Sequence, residues 1–313
     1  MQKHTSVLLK ESLELLNIKE DGIYVDCTLG RAGHSAEILK KIKKGHLFAI
    51  DQDIEAIKES ESVLKEIANN FTIMQGNFEN IKVLLALEGV EKVDGILFDL
   101  GVSSPQFDVG DRGFSYRFDA ELDMRMDKIN NQLTAKFVIN NYSERELADV
   151  FFKYGEESFS FQIARNIIKY REKKPLETTF ELVDVIKKSL PQKVLKKKKH
   201  PAKKVFQALR IFVNNELEVL KKSLSHSLEL LNKNGRLVVI TFHSLEEKII
   251  KDIFKANTVH SSDKFIAKLP IQVDLKNKDF ELVIKKPIVP SDVEAENNRR
   301  SRSAKLWSIK KVS

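Results

Sequence analysis

Three aspartates stand where they could act together, because Asp26, Asp51 and Asp99 each close an apolar run. The first run, Tyr24-Val25-Asp26, leads into Cys27-Thr28-Leu29-Gly30-Arg31-Ala32-Gly33-His34-Ser35, and the second, Leu47-Phe48-Ala49-Ile50, ends on Asp51. A strand, a small-residue turn, a helix and a second strand ending in a carboxylate make half of a nucleotide-binding α/β sheet. In such a sheet the ligand sits at the carboxyl ends of the strands. Small residues let the backbone approach the ligand, and Asp51 can accept hydrogen bonds from ribose hydroxyls. A dinucleotide fingerprint needs Gly-x-Gly-x-x-Gly to seat a pyrophosphate; here Gly30 and Gly33 stand without the third glycine. Asp26 would repel a pyrophosphate but accept an ammonium. These residues favour S-adenosylmethionine, with its sulfonium and amino-acid tail, over NAD, and leave a purely structural turn as the third reading.

Phe98-Asp99-Leu100-Gly101-Val102-Ser103-Ser104-Pro105-Gln106 brings a carboxylate, a glycine and two hydroxyls to the end of a further strand. It faces the same crevice. The elements that must hold these residues follow from periodicity. Strands are expected at 22–26, 47–50, 71–74 and 93–100, with helices at 34–42 and 54–68 between them, a rhythm that implies a parallel, doubly covered sheet. After Gly101 the rhythm breaks. Helical patterns at 133–140, 144–154, 159–171 and 180–190 succeed one another without a strand. A long amphipathic helix carrying Val213, Leu217, Leu220, Leu224, Leu228 and Leu231, capped by Gly235, then returns to a strand at 236–242. Two closing strands are expected at 281–285 and 304–309. His243, in Thr241-Phe242-His243-Ser244-Leu245-Glu246, lies at the ligand end of the fifth strand, with Ser244 and Glu247 resembling a capping box.

The 313 residues exceed what one core usually serves. Lys plus Arg number 53 against 45 Asp plus Glu, a formal +8, which suits a polyanionic partner. The single cysteine, Cys27, excludes an intramolecular disulfide and a multi-cysteine zinc site, and its apolar setting suits packing better than nucleophilic chemistry. No apolar run approaches the ~20 residues needed to cross a bilayer, and the first residues lack the apolar core of a signal peptide. A cytoplasmic protein with neither membrane nor metal partner is expected. The oligomeric state stays open, a homodimer included.

With Asp99 to Gln106 in view, the chain resembles the bacterial MraW/RsmH family of ribosomal RNA small-subunit methyltransferases. The matching motifs include Lys3-His4-Thr5-Ser6-Val7-Leu8-Leu9, Gly30 to Ser35, Asp99 to Gln106, Arg112-Gly113-Phe114-Ser115 and Leu122-Asp123-Met124-Arg125-Met126-Asp127. Tyr154-Gly155-Glu156-Glu157, Lys199-His200-Pro201-Ala202, Phe206 to Ile211, Phe242-His243-Ser244-Leu245-Glu246 and Arg302-Ser303-Ala304-Lys305-Leu306 continue the series in order. The resemblance implies a Rossmann-like class I methyltransferase sheet with an inserted all-helical domain: core at 1–105, substrate-recognition insertion at 106–215, core again at 216–313. It implies S-adenosylmethionine as cofactor and, as substrate, the exocyclic N4 amine of a cytidine in the decoding centre of 16S ribosomal RNA, within the small subunit.

Family cofactor contacts carry over to Gly30, Ala32, Gly33, His34, Asp51, Phe78, Asp99 and Gln106. In this reading loop amides meet the methionine carboxylate, Asp51 the ribose and Phe78 the adenine. Either Asp99 or the Ser103-Ser104-Pro105 segment accepts a hydrogen bond from the target amine. Lys198, Lys199, His200, Arg210 and His243 are the expected substrate contacts, with Arg299-Arg300-Ser301-Arg302 beside them. Arg112, Asp123 and Arg125 order a lid, hold RNA or form an internal salt-bridge network. Ala32 departs from the family's usual glycine and suits its place if its φ is negative. Three other readings compete: a ligand sensor or RNA binder without turnover, an enzyme methylating a protein or small molecule, and an NAD-dependent oxidoreductase.

Overall fold

Apolar runs of four to seven residues become the central strands, and the amphipathic stretches between them become the helices that cover both faces. The computed structural model describes residues 6–101, 112–196, 200–258 and 279–313. The chain divides into two compact units, Met1–Gly101 with Leu217–Ser313, and Val102–Glu216.

The first unit holds a seven-stranded sheet. Its strands are β1 (Ile23–Asp26), β2 (His46–Asp51), β3 (Phe71–Gln75), β4 (Val93–Asp99), β5 (Leu231–Thr241), β6 (Phe280–Leu282) and β7 (Lys305–Lys311). The order is β3-β2-β1-β4-β5-β7-β6. The first five run parallel, and β7 pairs antiparallel with both β5 and β6. This is the Rossmann-like class I methyltransferase sheet expected from the sequence. Order reverses between β1 and β4, so the crevice at their carboxyl ends is the place for a ligand. Helices α1 (Leu9–Leu16), α2 (Gly33–Lys41), α3 (Ile54–Lys65), α4 (Ile81–Leu87), α11 (Glu216–Leu230) and α12 (Ser244–Asn257) belong to this sheet. One core gathers Phe48, Ile96, Phe98 and Val239 under Leu220 and Leu224 of α11, and another sets Leu47, Leu97 and Ile240 against Ile38 of α2.

In the second unit the regular structure of the described residues is helical, apart from a single bridge between Glu121 and Thr178. Its helices are α5 (Ala135–Asn141), α6 (Glu144–Gly155), α7 (Ser160–Arg171), α8 (Thr179–Ser189), α9 (Gln192–Leu195) and α10 (Lys203–Val213). Leu147, Phe151, Ile163, Leu182, Phe206 and Leu209 share one core. Reciprocal capping boxes open α6 at Ser143/Glu146 and α8 at Thr178/Glu181.

Two expectations need correction. The long helix is two helices, α10 and α11, because the chain breaks at Asn214 and Asn215, the latter at φ +49°. Gly235 caps neither, since α11 ends at Leu230 and β5 already runs from Leu231, with Asn234 at φ +67° inside it. Periodicity continues smoothly through Asn214–Asn215; an asparagine, which tolerates the left-handed region, is the signal there.

Candidate active site

The loop between β1 and α2 is pinned from several sides. Leu29 donates its amide to Ile50 O at 3.0 Å, Gly30 donates its own to Asp51 Oδ2 at 2.9 Å, and Ser60 Oγ donates to Gly30 O at 2.7 Å. Gly30 takes φ +51° and Ala32 φ +58°. The negative φ that Ala32 was expected to need is therefore not what the fold adopts. An alanine held left-handed costs about 1–2 kcal/mol, and here its amide is fixed to Leu29 O at 2.8 Å and its methyl fully buried. Gly33 is demanded by space, since a Cβ there would lie 1.9 Å from Ser6 Oγ.

Asp26 does not wait for an ammonium. It is 1% exposed, and its oxygens accept from Thr28 N–H at 3.0 Å and Ser35 Oγ at 2.7 Å. It knits β1 to α2. Thr28 Oγ1 in turn accepts the Asp99 amide at 2.7 Å, tying this loop to the end of β4. Asp51 accepts the amides of Gly30 and Asp53, each at 2.9 Å. Burial pushes its carboxyl up, and those two hydrogen bonds oppose the push. Phe78 opens the short 3-10 turn Phe78–Asn80 after β3 and meets Phe98 edge-on, ring centres 5.4 Å apart. Cys27 is buried, and burial, then the Asp26 charge, drive its thiol well above the usual range, so it packs rather than attacks.

Asp99 is different from the other two aspartates. Its Oδ2 lies 3.7 Å from His34 Nδ1, while its Oδ1 is buried and has no hydrogen-bond partner among the described residues. Burial raises the Asp99 carboxyl to about 6; His34 opposes that shift, and Asp26 and Glu246 reinforce it. His34 is 5% exposed, with Nε2 at 3.2 Å from Val7 O. A carbonyl only accepts, so Nε2 carries the proton there and Nδ1 faces the carboxylate.

At the end of β5 His243 itself is the N-cap of α12, its Nδ1 accepting from Glu246 N–H at 3.3 Å, and the box partner is Glu246. The Ser244/Glu247 pairing expected from sequence is thus displaced by one residue. Glu246, buried at 4% exposure, accepts the amides of Phe242 at 2.7 Å and His243 at 3.2 Å. His243 Nε2 is buried without a hydrogen bond; Glu246 Oε1 lies 3.1 Å away but off the line that a bond requires. Glu246 was a site residue that its own quoted motif could have announced.

Gly30, Ala32, Gly33, His34, Asp51, Phe78, Asp99 and His243 therefore come to one rim, at the carboxyl ends of β1 to β5. Two surface hollows, of about 310 and 380 Å³, lie elsewhere, one against α3 and β3 and one between α11 and α12. Among the described residues no group of three His, Cys, Asp or Glu could hold a metal, and no helix is long and apolar enough to cross a membrane. At such a rim Asp99 Oδ1, buried without a hydrogen bond among the described residues, can accept from a cationic or hydrogen-donating ligand, while His243 Nε2, which carries the ring proton because Nδ1 accepts from Glu246 N–H, can donate to an acceptor.

The family model described as the MraW methylase family matches residues 1–312. The chain belongs to that family. It is 61% identical over 311 residues to the ribosomal RNA small subunit methyltransferase H of Mesoplasma florum, covering 99% of this chain and all of that one. The protein of the same name from Mycoplasma capricolum subsp. capricolum is 60% identical over 312 residues, with 99% and 100% covered. That of Exiguobacterium sibiricum is 50% identical over 316 residues, with 100% and 99% covered.

Ser103, Ser104, Pro105, Gln106, Lys198 and Lys199 lie outside the described residues. Arg210, expected to touch substrate, is 9% exposed and donates Nε and a terminal nitrogen to the two oxygens of Glu216, each at 2.8 Å. Its guanidinium is spent inside its own unit. Arg125 clamps Asp123 in the same way, at 2.6 and 3.2 Å, and Arg112 donates to the carbonyls of Arg125 and Met126 at 3.0 and 2.9 Å. These bonds make an internal network of the three residues. Burial pushes the Asp123 carboxyl up, but the Arg125 hydrogen bonds outweigh it and hold it below its usual range. His200 keeps a surface position, its ring stacked on Tyr116 at 4.2 Å and 9°.

Proposed function

We propose that this chain is an S-adenosylmethionine-dependent methyltransferase acting on the exocyclic N4 amine of a cytidine in 16S ribosomal RNA, within the small ribosomal subunit. Family membership and the printed names of its relatives support the substrate class. The observation that carries the chemistry is Asp99 Oδ1, buried, without a hydrogen-bond partner among the described residues and set at the point where strand order reverses. A buried carboxylate oxygen without a donor is costly, so its presence at this spot fits a ligand that brings the donor.

The residues present suit that cofactor. Asp51, fixed by two amides, keeps lone pairs for ribose hydroxyls, and Phe78 offers an apolar ring beside β3. The Gly30 and Ala32 amides are already used by Asp51 and Leu29, which leaves the first turn of α2, at Gly33 and His34, to meet the carboxylate of the amino-acid tail. When bound, the cofactor supplies an electrophilic methyl beside a sulfonium.

The protein's part is positioning and electrostatics. The cytosine amine has its lone pair drawn into the ring, so it must be held in line and relieved of a proton as its nitrogen becomes tetrahedral. Asp99 accepts a hydrogen bond from that amine or from the cofactor's ammonium. A carboxyl whose ordinary value is raised to about 6 is ionised at neutral pH yet takes a proton more readily than a surface aspartate. His243 Nε2, orphaned at the next strand end, is placed to contact the base. Incubation with labelled methyl donor and small subunits lacking the modification, followed by nucleoside mass spectrometry, tests the proposal. Label in N4-methylcytidine is expected; label in another nucleoside, or in none, overturns it.

A further inference from the structure

With Arg210 spent on Glu216, the helical unit must offer its cations elsewhere, and one face does so. Phe118 is 45% and Phe180 44% exposed. Both stand on backbone that is clamped together. Thr179 Oγ1 donates to Phe118 O at 2.6 Å and accepts from Ala120 N–H at 3.1 Å, and Phe180 donates its amide to Asp119 Oδ1 at 3.2 Å. Single exposed apolar side chains need no explanation. The distribution here does. Among the described residues every large aromatic on the surface lies in the helical unit, whereas the exposed large apolar residues of the sheet unit are all aliphatic.

Positive charge surrounds this pair. Arg117 precedes Phe118, and both it and Lys187 are exposed and without a carboxylate partner among the described residues. On α8, Lys187 follows Phe180 by seven residues, which returns it to the same face about two turns on. The two cations converge on His200, whose imidazolium is held below its usual range first by burial and then by Lys187 and Arg117. Beneath, Tyr116 stacks on His200 and meets Phe206 edge-on at 5.8 Å, so the imidazole is fixed. Asp119, occupied with the Phe180 amide, and Asp184 are the carboxylates beside the strip. Two cations that form no ion pair among the described residues fit a polyanion. Rigid rings set among them fit a polyanion that also has unpaired bases to stack.

Resting on the proposed function, we infer that this face of the helical unit binds a single-stranded stretch of the RNA substrate, with Phe118 and Phe180 stacking on bases and Arg117 and Lys187 contacting phosphates. This face recognises the strand rather than the target base.

The test uses the full chain and a fluorescently labelled single-stranded RNA dodecamer. F118L/F180L keeps apolar bulk but removes the rings, and its melting temperature reports that folding is retained. Binding is expected to weaken about tenfold per ring lost, and the KM for undermodified small subunits to rise in step. R117Q/K187Q is expected to flatten the dependence of log affinity on log salt by roughly 0.7 per lost phosphate contact. Wild-type affinity in the leucine variant overturns the inference, as does equal competition by an acidic polypeptide, which would mark a protein-binding face. If the wild-type chain methylates no ribosomal RNA, the proposed function fails while the dodecamer titration still decides this inference.

Discussion

Two places in the molecule, one in each unit, handle buried charge differently. In the helical unit, Arg210 with Glu216 and Arg125 with Asp123 are bidentate pairs, low in exposure and satisfied. In the sheet unit, Asp26 and Asp51 are satisfied too, but Asp99 Oδ1 and His243 Nε2 are buried without hydrogen bonds at adjacent strand ends. A satisfied buried ion pair holds architecture together. An unsatisfied buried atom at a strand end marks where something else must bind.

That contrast can be broken by mutation. Glu216→Ala leaves the Arg210 guanidinium buried without its partner and should lower unfolding stability by about 3–5 kcal/mol, measured by urea denaturation. Converting both residues to well-packed apolar side chains, Arg210→Met with Glu216→Leu, should recover most of that loss. A single variant that unfolds like wild type would show that the pair is not structural.

Asp99→Ala should leave the fold intact and reduce methyl transfer at least about 100-fold, the scale of losing one charged hydrogen bond at a reacting centre. A parallel cofactor titration then says whether the loss lies in binding or in transfer. Near-normal turnover would remove Asp99 from the chemistry.

The same residue has a stability signature. Its folded carboxyl lies above the unfolded value, at about 6 against 3.8, so the folded state binds the proton more tightly. The stability this gives is present in full below about pH 4 and is lost as pH rises to about 6. At pH 7.5 the ionised group therefore costs up to about 3 kcal/mol, and Asp99→Asn should be more stable than wild type there but not at pH 3.5. Thermal melts at both values check the sign.

The smallest effect is expected at Ala32. Replacing it by glycine relieves the left-handed strain but removes a buried methyl and adds chain entropy in the unfolded state, terms of about 1 kcal/mol each. The net change should stay within about 1 kcal/mol. Ala32→Val, with a branched Cβ at φ +58°, should be clearly worse.

Much of the rim could be read in the sequence because it is local: strand, loop and acidic residue are contiguous at Asp26 to His34, at Asp51 and at Asp99. The helix break at Asn214–Asn215 was missed because the apolar spacing runs through it and only the backbone angle reveals the turn. The pairing of Arg210 with Glu216 was not legible for another reason. A guanidinium looks the same in a sequence whether it faces RNA or Glu216.

The sequence by itself determined the alternation of strands and helices, the family and the residues gathered at the ends of the parallel strands. These depend on periodicity and on motifs a few residues long. Only the tertiary structure decided which charges are consumed internally, that Ala32 is held left-handed, and that Asp99 keeps an oxygen without a donor. Those outcomes depend on partners brought in by folding, such as Val7 with His34, Thr28 with Asp99, and Glu246 with His243.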